Sequence, residues 1–315
     1  MNAYISEVIE YNPQIKLHFI NSIKVEESTK LTYINILKKV SKKEKEFSKN
    51  VFNFSNEEYD SLLYSLNAFS TDTIYAYNFC IKKYFEFCSI NNYTNKIPLY
   101  LYSLNKDDLE QFVNKLIFNK MYIRSEQELC ILLENLYNYV DICMFLLFFY
   151  GLKGEEMIEV RQLKKEDVDF KNFGVYVNRN NKNQYIKMPE KVIDIIKKTI
   201  TSTEYLSIKK DGSIWYRKLC DSDYIIRTIK NSQITTKPML TSRISNIKNK
   251  IWNNKYLTAG RIHRAGCAIF AIRLMEEEQL SQYEAINNSL FVYGLSKSLH
   301  YKVKDVVELI QNNSQ

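Results

Sequence analysis

Gly151-Leu152-Lys153-Gly154-Glu155-Glu156 stands between two helical runs of opposite character. Before it, Tyr139 to Phe149 is apolar nearly all round, the pattern of a helix central in a core. Gly151 stops that helix. After it, Met157 to Leu163 is amphipathic and leads into Asp167-Val168-Asp169-Phe170. Phe173 to Val177 and Tyr185 to Met188 read as two short strands around a polar turn, Asn178 to Asn183. Pro189 closes this hairpin, and Val192, Ile193, Ile195 and Ile196 place a helix behind it. Ser125 and Glu128 form a capping-box pattern that opens the region, with Leu129, Leu132, Leu133 and Leu136 on one helix face.

Further upstream the chain reads as helices with short connections. Ser55 and Glu58 repeat the capping-box pattern before Tyr59, Leu62, Leu63 and Leu66. Ser70-Thr71-Asp72 opens a helix whose buried face is Ile74, Tyr77, Ile81, Tyr84 and Cys88. Asn105 caps a third, carrying Leu109, Phe112, Val113 and Leu116. Residues 1–50 are helical and strongly charged. Tyr33, Leu37, Val40 and Phe47 mark one stripe, and Lys38, Lys39, Lys42, Lys43 and Lys45 lie elsewhere. Those lysines fit DNA contact and a solvated face equally, because Glu44 and Glu46 are interleaved. The expected architecture is mainly α with a small antiparallel sheet, in two domains, 1–120 and 121–315.

Downstream, Tyr224 to Met275 contains no Asp or Glu, although 36 of the 315 residues are acidic. It carries Arg227, Lys230, Lys237, Arg243, Lys248, Lys250, Lys255, Arg261, Arg264 and Arg273. Charge of one sign over that length marks a disordered tail or a surface for a polyanion. Ile225, Ile226, Ile229, Ile244, Ile247, Ile251 and Trp252 recur at helical spacings, which favours a folded basic face against nucleic-acid phosphates.

Composition narrows the classes. Net charge is +8, so the local asymmetry matters more than the mean. Gly (7) and Pro (4) are scarce, which disfavours sandwiches and barrels. The six cysteines, Cys80, Cys88, Cys130, Cys143, Cys220 and Cys267, show no CxxC pair and no histidine at metal-ligand spacing, so no metal and no cofactor is expected. Ile142 to Tyr150, the longest apolar run, is too short to span a bilayer. Glu7, Glu10 and Lys16 interrupt any leader pattern, and a reducing cytoplasm is the expected compartment.

At Gly151 to Glu156, Val160, Leu163 and Asp167 to Phe170 the chain resembles the tyrosine recombinase (phage integrase) family, whose signature there is Gly-Leu-Arg-x-x-Glu. The helices over 55–120 look like its core-binding domain, and the likeness covers roughly residues 55–310. The resemblance implies DNA strand exchange through a 3′-phosphotyrosine. Two arginines would neutralise the scissile phosphate, a hairpin lysine would be general acid, and His, His or Trp, and a nucleophilic Tyr would complete the set. The added negative charge of the transition state is what demands guanidinium donors.

Carried over residue by residue, the first arginine is Lys153, which keeps charge without the two-donor fork. The hairpin lysine is Lys182, with Arg179 also on offer. Arg261-Ile262-His263-Arg264 keeps the second arginine as Arg264, while Arg261 replaces its histidine and His263 is out of register. Val292 stands where His or Trp would precede the nucleophile, and Tyr301 stands at the nucleophile. With 24 tyrosines in the chain, a Tyr there also fits plain helix packing.

Losing one transition-state donor typically costs ~10²–10³ in rate, whereas ground-state binding sums many phosphate contacts. The first expectation is therefore a sequence-specific double-stranded-DNA binder without efficient cleavage. It resembles the recombinase-fold master repressors of SPbeta-like Bacillus phages, which implies lysogeny control in a bacterial cytoplasm. Its DNA contacts would be Arg261, Arg264, Arg243, Lys248, Lys250, Lys255, Lys153 and Lys182. The second expectation is an active recombinase using Tyr301, Arg264, Lys153 and Lys182. The third is a protein–protein adaptor, which predicts no salt-dependent DNA affinity. Val306, Val307 and Ile310 give the last helix an apolar face. In the family such a helix docks on a neighbouring subunit; closing its own core is the other reading.

Overall fold

Ser55 and Glu58 cap α3 (Asn56–Ser65) reciprocally: the Glu58 N–H donates to the Ser55 hydroxyl, and the Ser55 N–H donates to the Glu58 carboxylate. The computed structural model describes residues 9–179, 181–208, 213–229 and 234–312. Lys230 of the basic stretch and Asn180 of the hairpin turn lie outside the described residues, as do 1–8. The chain divides into two compact units, Met1–Phe118 and Asn119–Gln315.

In the first unit, α1 (Pro13–Ser22), α2 (Glu27–Phe47), α3, α4 (Thr71–Ile90) and α5 (Leu99–Ser103) enclose one aromatic-rich core. Ser70 accepts from Thr73 N and starts α4, whose Ile74, Ile81, Tyr84 and Cys88 are buried. Two expectations change. Leu109 and Phe112 are buried, but on a 3-10 turn, Asp108–Phe112, that ends when Val113 becomes extended. Asn114 N then donates to Ala68 O, and α6 (Lys115–Met121) starts afresh, which leaves Leu116 72% exposed. Glu44 is not on a solvated face either. It lies one turn beyond Val40 on the buried stripe, paired with fully buried Lys16 at 2.5 Å.

Glu44 also accepts from Val51 N, and Lys16 donates to Tyr11 O, so this pair ties the chain before α1 to α2 and its exit. Burial pushes the Glu44 carboxyl up and the Lys16 ammonium down, and their contact pulls each back. Lys16→Met therefore strands a carboxyl that can take up a proton, which limits the cost. The expected loss is about 3 kcal/mol, the low end for a broken buried pair. Faster hydrogen exchange at the α1 and α2 amides checks it, and unchanged protection there would refute it.

In the second unit, α7 (Glu126–Glu134) precedes α8 (Tyr139–Phe149), whose nine residues Val140, Asp141 and Cys143 to Phe149 are buried. α8 packs against α10 (Glu190–Thr201) and α12 (Ala259–Glu277). The contact with α12 is very close: a Cβ on Gly266 would stand 1.7 Å from Phe149 O. α9 (Ile158–Arg161) leads to a three-stranded antiparallel sheet, β1 (Val168–Asp169), β2 (Gly174–Arg179) and β3 (Lys182–Lys187). Val175 faces Ile186 and Arg179 faces Lys182 across β2 and β3.

A second antiparallel pair, for which the sequence gives no periodic signal, is β4 (Glu204–Ile208) with β5 (Ile214–Lys218). Among the described residues, the basic stretch is helical only from α11 (Lys237–Lys250) onward. Ile225 and Ile226 are buried, but in an irregular segment held by bonds such as Ile225 N to Leu163 O and Cys220 N to Thr228 O. α13 (Gln282–Val292) and α14 (His300–Asn312) pack on α12. Val303, Val306, Val307 and Ile310 of α14 are buried in this unit, as the reading in which the helix closes its own core expects.

Candidate nucleic-acid interface

Gly151, at φ 107°, carries the chain off α8 and delivers Lys153. Lys153 is half-buried; its N–H donates to Glu159 Oε2 at 2.8 Å and its Nζ to Gly154 O at 3.0 Å. Burial lowers the ammonium below its usual value; Glu159 opposes this and nearby Arg264 adds to it. The acid that turns inward is thus Glu159. Glu156, which the signature spacing singles out, is exposed and pairs with Lys237 at 2.6 Å.

The hairpin's contribution to this site is Arg179. Val175, Val177 and Arg179 alternate along β2 onto one face, so the arginine follows two buried valines inward. Its Nε and Nη2 grip both Glu159 oxygens, at 2.7 and 2.8 Å. Nη2 also donates to Gly151 O, and Nη1 donates to Val292 O and Gln184 Oε1. A guanidinium has five N–H donors, and here each has a protein acceptor. The ion pair is nearly buried, with side chains 10% and 8% exposed. Gly294 makes room for it, since a Cβ there would lie 2.8 Å from Arg179 Nε. Lys182, directly across the ladder, stays exposed toward the hairpin tip.

Thr258 caps α12 by accepting from Arg261 N at 3.2 Å, which sets Arg261 and Arg264 one turn apart at the start of the helix. Arg264 Nη1 donates to Tyr122 OH at 2.7 Å. No other partner of the Arg264 guanidinium N–H groups is found among the described residues. Arg261 donates to Tyr256 O. His263 points the opposite way, into the core against the Tyr293 ring at 5.2 Å. Burial pushes its imidazole down to about 3, and the charges of Lys153, Arg179 and Arg264 act in the same direction. It is neutral at physiological pH and acts as a packing group. Those three basic groups therefore converge around the C-terminal end of α8.

Tyr301 is 77% exposed on the first turn of α14, and its recorded contact is the edge of the His300 ring. Among the described residues nothing joins it to Lys153, Arg179 or Arg264. Val292 enters through its backbone oxygen alone. Of the basic stretch, Arg243 turns inward to the buried Asp141 at 3.4 Å, so its charge is not open to a phosphate as expected. Arg227 is likewise buried, on Thr199 O and Ser202 O, and Arg273 pairs with Glu126. Lys250 and Lys255 are exposed, and half-buried Lys248 donates to Lys255 O. Arg179 and Glu159 were not singled out as a pair. The alternation Val175-x-Val177-x-Arg179 was the available signal.

The family model described as "MrpR, C-terminal catalytic domain" matches residues 122–312, and "MrpR, N-terminal core-binding domain" matches residues 9–90. Among solved structures the chain is similar to a lambda integrase dimer bound to a COC′ core site (9% identity, TM-score 0.48, covering 96% of this chain and 80% of that one). It is also similar to the Tn1549 transposon integrase in complex with a circular intermediate DNA (15%, 0.42, 92% and 97%). A third is the XerH site-specific recombinase bound to a palindromic difH substrate (15%, 0.41, 98% and 93%). No curated protein matches the chain. The two family models together span most of the sequence: the chain belongs to the MrpR family, with the core-binding and catalytic domains of the tyrosine recombinase architecture.

Proposed function

We propose that this protein is a sequence-specific double-stranded-DNA-binding protein on a tyrosine recombinase scaffold that does not cleave DNA efficiently. It acts as a transcriptional repressor of a phage or mobile element, in the cytoplasm of a bacterial host. What supports the reading is the contrast between two arginines. Arg179 has every donor committed to protein acceptors, so it has none for a transferring phosphate. Arg264 keeps donors for a ground-state phosphate contact. Lys153 offers one point charge where a two-donor fork would be needed. No described helix is long and apolar enough to cross a membrane.

A second reading, an active recombinase, draws on the exposure of Tyr301 and the retained Arg264. A nicked suicide substrate, built on the site that footprinting of the parent genome identifies, separates the two. The expected result is tight binding with no covalent adduct. An adduct that disappears in Tyr301→Phe would reject the repressor-only reading. Arg264→Ala is expected to weaken binding roughly tenfold or more, as for a charged hydrogen bond, and evenly across operator positions. A loss confined to one base pair would mean that Arg264 reads a base.

A further inference from the structure

A cavity of about 530 Å³ lies between the turn at 153–157 and α11, floored by the first turn of α12. Its charged lining is Lys153, Lys237, Lys248, Glu155 and Glu156, and Thr241, Ser245 and Thr258 add hydroxyls. Lys237 is occupied by the Glu156 carboxylate at 2.6 Å. The turn that presents Glu156 is unusual. Gly154 (φ 64°), Glu156 (φ 51°) and Met157 (φ 63°) all take left-handed backbone, and two of them carry side chains. Such conformations persist only where surrounding contacts hold them. Here Met157 is buried, Arg161 donates to Glu156 O, and Lys237 holds the carboxylate.

We propose that this cavity is a phosphate-docking site on Lys237 and Lys248, and that the Glu156 carboxylate is an internal stand-in which a DNA backbone phosphate displaces. The proposal rests on the DNA-binding reading above. A carboxylate and a phosphodiester present the same anionic oxygens to an ammonium. The pair is about half exposed at both ends, 51% and 54%, so it is weak and cheap to exchange. With Glu156 withdrawn, three lysines line the cavity against the single carboxylate of Glu155. Glu156 then acts as a selectivity filter, because an anion enters only by competing for Lys237.

The test is the affinity of the full chain for a mixed-sequence DNA duplex across a salt series, since backbone contacts do not depend on sequence. Glu155 is the built-in control: it lines the same cavity and has the same charge, but among the described residues it forms no ion pair like the one between Glu156 and Lys237. Glu156→Gln is expected to tighten binding roughly three- to tenfold, and Glu155→Gln clearly less. Lys237→Gln should weaken binding, lower the salt slope by about one, and abolish the gain in the Glu156→Gln/Lys237→Gln double variant. Equal gains from the two glutamine variants, or a gain that survives without Lys237, would overturn the stand-in while leaving DNA binding intact. Saturable binding of inorganic phosphate that requires Lys237, with no DNA affinity in any variant, would overturn both the DNA assignment and the functional reading.

Discussion

Arg179→Ala is expected to destabilise the second unit by about 4–5 kcal/mol, the upper range for removing one partner of a buried ion pair. The loss has two parts. Glu159 keeps a carboxylate that is 8% exposed with no guanidinium on it. Gly151, Gln184 and Val292 lose their donor together, so the hairpin, the turn after α8 and the end of α13 are no longer tied at one point. Both tryptophans, Trp215 and Trp252, belong to this unit, and Trp252 is anchored to Leu132 O and packed 4.4 Å from Phe145. Urea unfolding followed by tryptophan fluorescence therefore reports on the unit directly. Arg179→Met with Glu159→Leu is expected to regain much of the loss, because a buried pair is often replaceable by apolar groups. A midpoint unchanged in Arg179→Ala would refute the tie.

Gly266→Ala is the second large effect. Its added methyl would fall on the Phe149 carbonyl oxygen, a backbone atom with no rotamer to move, so α8 and α12 must separate. That separation opens the core around Phe145, Phe148 and Cys267, and the expected cost exceeds the ~1–3 kcal/mol usual for overpacking. The same shift moves Arg264, two residues before Gly266 on α12, relative to Lys153. DNA affinity should therefore fall together with the tryptophan-detected midpoint. Wild-type stability would mean that the helices have slack at this contact.

Much of the architecture was legible because the forces involved are local. The box at Ser55 and Glu58 and the caps at Ser70 and Ser125 need only three-residue spacing, and each is present. Tyr139 to Phe149 is apolar nearly all round, and nine of its eleven residues are buried. A polar residue on a buried stripe gives no such local signal. Glu44 stands interleaved with the lysines of 38–45, and nothing local marks it as buried, because its partner, Lys16, is 28 residues away. Within the basic stretch, Arg243 and Arg273 are likewise neutralised by Asp141 and Glu126, which lie outside it. The hairpin at 204–218 was missed because Ile214, Trp215 and Tyr216 are all more than half exposed and give no alternation.

By itself, then, the sequence determined the capped helices at 56–65, 71–90 and 126–134, the central helix at 139–149, the β2–β3 hairpin and the acid-free composition of 224–275. Periodicity and capping act within a few residues, so one strand of text contains them. What only the tertiary structure decided is which basic groups remain open to an anion. Charge is a property of a residue, but its availability depends on which acceptors the fold brings to it. Arg179 and Arg264 look alike in sequence. Packing gives the first an acceptor for every donor and leaves the second, among the described residues, with one acceptor, the Tyr122 hydroxyl.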